Sequence, residues 1–212
     1  ASRNNLILME ALRTAYSTAY LRLRVLAKTG IIGDIVSVDA TCTSLSDVQA
    51  NKSMLWNSIT AWGPTALLPV FQILGLEYDN VRVISKIANQ DYKYDTFTKI
   101  DFTYPHSVAS IKVGTGVKSE GELIISGTKG YIYVPAPWWK TDYFEVRFEN
   151  PVNNKRYFYQ LDGEGIRYEI VAFAKAVESR RNVSYVSESI SEAIVGVIED
   201  FNERDRKSTR LN

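Results

Sequence analysis

Gly121-Glu122-Leu123-Ile124-Ile125-Ser126-Gly127-Thr128-Lys129-Gly130-Tyr131-Ile132-Tyr133-Val134 is the stretch on which the fold class turns. An apolar run reaches a Gly-x-x-Gly turn and comes back with β-forming residues, which predicts an antiparallel hairpin. The pattern continues on both sides. Upstream, Val81–Ser85 reads as a strand, and Thr96, Thr98, Ile100, Phe102 and Tyr104 share one face of the next. Pro105-His106-Ser107 then turns the chain into Val108–Val113. Downstream, Phe144, Val146 and Phe148 alternate with Tyr143, Glu145 and Arg147, and Pro151–Asn154 turns the chain into Tyr157-Phe158-Tyr159. Ile31–Ser44 reads as a long strand with Val36, Val38, Ala40 and Cys42 on its apolar face. Asn5–Glu10 reads as a short buried strand, and Leu45–Ser58 as a polar surface loop.

Helical spacing appears elsewhere. Thr14–Lys28 carries Ala15, Ala19, Leu23 and Leu26 on one stripe. Pro64–Leu74, with Gly75 behind it, has a proline in the first turn and a glycine past the end. Ile166, Ile170, Phe173 and Val177 form one closing stripe. Ile190, Ile194, Val197, Ile198 and Phe201 form another, after a capping box Ser189-x-x-Glu192, with a polar tail from Asn202 expected to fray. The expected fold is α+β: a mostly antiparallel open sheet of about six to eight strands, with helices, the two closing ones included, covering one face.

Composition narrows the function classes. The 212 residues suit one domain, 1–212. A hydrophobic fraction of 45% and a charged fraction of 23% exclude disorder. Lys and Arg total 25 against 24 Asp and Glu, so no nucleic-acid partner is expected. No apolar run nears the ~18 residues of a membrane span. The polar start shows no leader, and Cys42 is the single cysteine, so a reducing cytoplasm is the expectation. One histidine, His106, and one cysteine leave no basis for a His/Cys zinc site or a nucleophile–histidine triad. His106 reads as a solvated turn residue and Cys42 as a small apolar one. Asp39, Asp101, Glu122 and Glu145 show no pairing that a glycosidase would need. Thirteen tyrosines stand out. Tyr131, Tyr133, Tyr143, Tyr157 and Tyr159 are expected on the sheet face away from the helices. There they serve as plain strand formers, as an interface with a second copy, or as a floor for a sugar.

Several stretches, in order, resemble the second half of the glucose-fructose oxidoreductase / inositol dehydrogenase (Gfo/Idh/MocA) family. Leu8-Met9-Glu10-Ala11 and Lys28-Thr29-Gly30-Ile31-Ile32-Gly33-Asp34-Ile35 are similar to its crossover from nucleotide domain to sheet domain. Trp62-Gly63-Pro64-Thr65-Ala66-Leu67-Leu68 is similar to its active-site helix, and Gly121–Gly130 to its strand–turn–strand. Pro135-Ala136-Pro137-Trp138-Trp139-Lys140 and Gly165-Ile166-Arg167-Tyr168-Glu169 complete the set. The resemblance implies a C-terminal substrate-binding and oligomerisation domain of an NAD(P)-dependent sugar or polyol oxidoreductase, with residues 1–12 the remnant of the last Rossmann strand.

The departures bear on activity. No G-x-G-x-x-G follows a strand; Gly114-Thr115-Gly116 reads as a strand-end turn. The family's Glu-Lys-Pro segment, with its catalytic lysine, is missing, and its aspartate and histidine positions fall on Ala61 and Thr65. The expectation is a truncated product or fragment, inactive alone, with no catalytic residue, no metal and no cofactor of its own, NAD(P) belonging to the complete enzyme. The resemblance implies Arg13, Tyr16, Trp62, Trp138, Trp139, Lys140 and Tyr168 as substrate-binding residues, each weighed against plain packing. A homo-oligomer through the tyrosine face is the expected partner. Two other classes stay open: a non-catalytic interaction module and a carbohydrate-binding module using Trp138 and Trp139.

Overall fold

The turn 127–130 is built by close approach. In a computed structural model of the chain, which describes residues 1–4, 6–45, 57–89 and 94–207, the Gly127 amide donates to Gly130 O at 2.8 Å and the Lys129 amide to Ile32 O at 2.8 Å. A Cβ on Gly127 would lie 2.3 Å from Ile32 O, and one on Gly130 2.6 Å from Arg147 O. Neither position has room for a side chain.

Around this turn eight strands form one sheet: β1 (Ile35–Thr43), β2 (Asn80–Asn89), β3 (Tyr94–Thr103), β4 (Val108–Gly114), β5 (Leu123–Gly127), β6 (Tyr131–Val134), β7 (Tyr143–Arg147) and β8 (Lys155–Phe158). Their order is β2-β3-β4-β1-β5-β6-β7-β8, antiparallel except for β1 beside β4. The α+β expectation holds. One face is apolar and buried, with Val38, Ala40, Ile100, Ile111, Leu123, Ile125, Ile132, Phe144 and Val146 within it. The helices are α1 (Arg13–Tyr16), α2 (Thr18–Lys28), α3 (Ser58–Leu74), α4 (Ile166–Ser179) and α5 (Glu188–Lys207). α3 packs on β1, β3 and β4, and α2 on β7.

Several expectations are corrected. The run 6–10 forms no strand: no ladder includes it, and Leu6 and Leu8 are exposed. Strand-like composition does not suffice without an edge to pair with. The helix expected from Thr14 is broken at Ser17 (ψ 139°), whose hydroxyl accepts from the Tyr20 amide and starts α2. Val36 is exposed because a bulge between Ile35 and Ser37 shifts the register. α3 starts at Ser58, not Pro64: the Asn57 side chain accepts from the Thr60 amide at 2.8 Å, and Pro64 and Pro69 lie inside the helix. Of the expected loop, residues 46–56 lie outside the described residues.

The closing helices form a second layer. α5 packs on α3 and α4 on α1, rather than on the sheet. The α5 stripe is turned inward, with Ile194, Val197 and Phe201 buried. Its cap is Ser187, whose Oγ accepts from the Ile190 amide, not Ser189. The helix runs on through Asn202 to Lys207, and the rest of the expected tail, 208–212, lies outside the described residues. On α4 the small Ala172 and Ala176 are buried, whereas Ile166, Ile170, Phe173 and Val177 are 43–60% exposed.

Candidate functional site

Trp138 anchors the segment that builds the site. Its ring is fully buried; its amide donates to Gly121 O at 3.0 Å and its indole Nε1 to Thr41 O at 3.2 Å. The tight 3₁₀ turn Trp138–Lys140 then directs the next two side chains the other way. Trp139 lies against Gly121, where a Cβ would stand 3.0 Å from its ring. Its carbonyl accepts from Thr14 Oγ1 at 3.2 Å, which ties α1 to the turn. Across from it, Trp62 of α3 donates from Nε1 to Ser44 Oγ at 3.1 Å. The Trp62 and Trp139 ring centroids are 4.8 Å apart, with 54° between the planes. Such an arrangement offers indole faces to a ligand with apolar C–H surfaces.

Between these elements opens a cleft of about 770 Å³, lined among others by Arg13, Trp62, Thr65, Lys118, Trp139 and Lys140. On its rim, Glu164 accepts from Lys140 Nζ at 2.9 Å and from Arg13 at 3.3 Å. Gly163, Glu164 and Gly165 all have left-handed backbone (φ 56°, 55° and 84°). The hydrogen bond from Lys140, with its charge, holds the Glu164 carboxyl below the usual range, and Arg13 adds to it. Behind Arg13, burial pushes the Glu169 carboxyl up, and the Arg13 charge opposes this.

Four of the seven residues singled out from the sequence thus meet in one cleft: Arg13, Trp62, Trp139 and Lys140. The other three lie elsewhere. Trp138 is core. Tyr16 is 2% exposed; its hydroxyl donates to Glu10 O and shares a hydrogen bond with Ser184. Tyr168 donates to Gln160 O at 3.2 Å, with the Arg167 guanidinium over its ring. Sequence reasoning missed Glu164 and Lys118. Asp162-Gly163-Glu164-Gly165 reads only as a turn, because the partners of Glu164 are 24 and 151 residues away.

Thr65 lines the cleft, and neither a carboxylate nor an imidazole does among its described lining residues. Among the described residues no group of three or more His, Cys, Asp or Glu could hold a metal. Gly114-Thr115-Gly116 is not a dinucleotide-binding turn: Gly114 ends β4, Gly116 bridges to Leu45, and no helix starts there.

The tyrosine face divides. Tyr131, Tyr133 and Tyr143 share the outer face with Glu145, Arg147 and Phe158. Tyr157 and Tyr159 stack on buried Phe144, on the core side. Arg147 lies 4.4 Å from the Tyr133 ring centroid and 6.0 Å from that of Tyr131; Arg156 lies 5.1 Å from that of Tyr143. Both arginines bind the Glu145 carboxylate.

No family model matches the chain, and no curated protein is significantly similar in sequence. Solved structures are similar in fold. An aldose-aldose oxidoreductase from Caulobacter crescentus matches with a TM-score of 0.80 at 13% identity, over all of this chain and 65% of its own. Levoglucosan dehydrogenase, solved with NADH and levoglucosan, matches at 0.74 and 16%, over 95% of this chain and 64% of its own. The 3-ketoreductase KijD10 from Actinomadura kijaniata, solved with NADP, matches at 0.74 and 15%, over 92% and 60%. The chain shares its fold with the matched part of these oxidoreductases. It spans about three fifths of the length of these structures. No helix among the described residues is long and apolar enough to cross a membrane.

Proposed function

We propose that the chain is the substrate-binding and oligomerisation half of an NAD(P)-dependent sugar or polyol oxidoreductase. The observation that carries this is the Trp62–Trp139 cleft on a sheet domain whose fold is shared with sugar oxidoreductases. In this reading the indole faces hold the sugar ring, and Lys140 and Thr65 meet its oxygens. The dinucleotide and the hydride step belong to residues outside this chain, so the chain alone turns over no substrate.

Tryptophan fluorescence tests the first part. Glucose quenches the wild-type chain, and Trp139→Ala abolishes the quench. A titration in which glucose, glycerol and glucuronate all leave the signal flat removes the sugar reading. NADH titrated into the same chain gives no change in nucleotide fluorescence; saturable micromolar binding would defeat the assignment of the cofactor to other residues.

Oligomerisation is proposed through the outer sheet face at β6–β8, where Tyr131, Tyr133, Tyr143 and Phe158 surround the Glu145–arginine cluster. Aromatic rings and arginines are the residue types enriched at interfaces. Sedimentation is expected to show a dimer or tetramer, which Tyr133→Ser with Tyr143→Ser dissociates. A wild-type monomer at micromolar concentration would contradict it.

A further inference from the structure

We propose that the cleft is built for a sugar acid, whose carboxylate takes the place of the Glu164 carboxylate between Arg13 and Lys140. The inference rests on the reading of the cleft as a sugar site and narrows its substrate class.

Three cations, Arg13, Lys118 and Lys140, line the cleft, and among the described residues no acidic side chain does. The chain as a whole is almost neutral, with 25 basic and 24 acidic residues, so this is a local excess. A neutral polyol entering the cleft would take water from Lys118 and from two cations that share the single Glu164 carboxylate, and return no charge to them. A carboxylate returns charge and accepts hydrogen bonds from two donors at once.

The molecule already shows that geometry. Glu164, half exposed on the rim, is held by an ammonium at 2.9 Å and a guanidinium at 3.3 Å. Its backbone sits in the left-handed region, rarely adopted by residues with a Cβ, between two glycines that share it. Both Glu164 ion pairs are solvent-exposed, with the side chains 35–59% accessible, so the Glu164 contact is a replaceable one. A ligand carboxylate takes over both cations, and the Glu164 side chain returns to water. Lys118 makes no ion pair with any described residue, so it adds a charge that Glu164 does not balance. The Trp62 and Trp139 faces receive the ring that carries the acid.

The test is tryptophan fluorescence of the 212-residue chain titrated with glucuronate and with glucose. Glucuronate is expected to bind about tenfold tighter than glucose at about 0.05 M salt, and to lose most of that advantage at about 0.5 M. Glu164→Gln frees both cations, so it strengthens glucuronate several-fold and raises its advantage over glucose. Lys118→Gln, at a lysine with no ion pair to a described residue, weakens glucuronate more than glucose. Equal affinity for the two sugars overturns the inference and leaves the sugar site standing. So does a Glu164→Gln chain that binds glucuronate more weakly. If neither sugar changes the signal, the sugar site falls and this inference falls with it.

Discussion

Replacing Gly127 with alanine tests whether the turn after β5 sets the register of the sheet. The added Cβ would stand 2.3 Å from Ile32 O and 3.1 Å from its carbonyl carbon, whereas ordinary contact begins near 3.4 Å. The obstacle is backbone, so no rotamer change relieves it. Either the 30–34 loop moves by about 1 Å or Gly127 leaves its place opposite Ile35. Overpacking of this kind costs about 3 kcal/mol. At about 2–4 °C per kcal/mol for a chain of this size, the melting temperature falls by about 6–12 °C. Gly30→Ala is the control. Gly30 has φ +77° and nothing within 4 Å of an added Cβ, so only backbone strain applies. That strain costs about 1 kcal/mol, or about 2–4 °C. Differential scanning fluorimetry on the three proteins decides. A Gly127→Ala protein that melts no lower than Gly30→Ala would refute the close-approach argument.

Three further outcomes are expected. Trp138→Ala removes a fully buried ring and its hydrogen bond to Thr41 O; it costs about 3–5 kcal/mol in urea unfolding, whereas Trp139→Ala, at a partly buried ring, costs far less and acts on ligand binding. For Glu145, burial pushes the carboxyl up, but hydrogen bonds and charge from Arg147 and Arg156 outweigh it and hold it below the usual range. A depressed folded-state value means stability that is present above the ordinary value of about 4.3 and lost as the pH falls through the folded value. The stability gap between wild type and Glu145→Gln in urea unfolding therefore narrows between pH 7 and the acid side of pH ~4, and a pH-independent gap contradicts the ion pairs. Cys42 is fully buried, and burial pushes its thiol well above the ordinary range. Iodoacetamide is thus expected to leave it unlabelled until urea unfolds the chain; labelling of the native chain would show the β1 face to be open.

Most of the sheet was legible because its code is local. Alternation along Thr98, Ile100, Phe102 and Tyr104 depends on neighbours two residues apart, and those residues are buried together. The division of the tyrosines was not legible. Tyr143 faces out and Tyr157 faces in because Tyr143 pairs with Phe158 and Phe144 with Tyr157. One residue of register moves a side chain to the other face, and the turn between β7 and β8 sets that register, not the strands' composition. Helix ends failed for a related reason. Pro64 carried a start signal, but the capping side chain of Asn57 and the Ser58 amide bond to Asp95 Oδ1 begin α3 earlier. The amphipathic stripe of α4 misled in turn, since Ala172 and Ala176 admit close packing on α1 and leave the larger residues exposed.

The site divides along the same line. Trp62, Trp139, Lys140 and Arg13 could be singled out because the segments that carry them resemble cleft-lining segments of a known family. What separates Trp138 from Trp139 is invisible in the adjacent letters. The hydrogen bonds of Trp138 to Gly121 and Thr41 bury one ring and turn the next into the cleft. Glu164 reaches Arg13 across 151 residues of sequence. Patterns of period two and of helical spacing, together with turn residues, act over a few positions, and by themselves they determined the class of fold and most of its strands. Charge neutralisation across the cleft, strand register and ring burial require parts of the chain that meet only after folding. Those the tertiary structure alone decided.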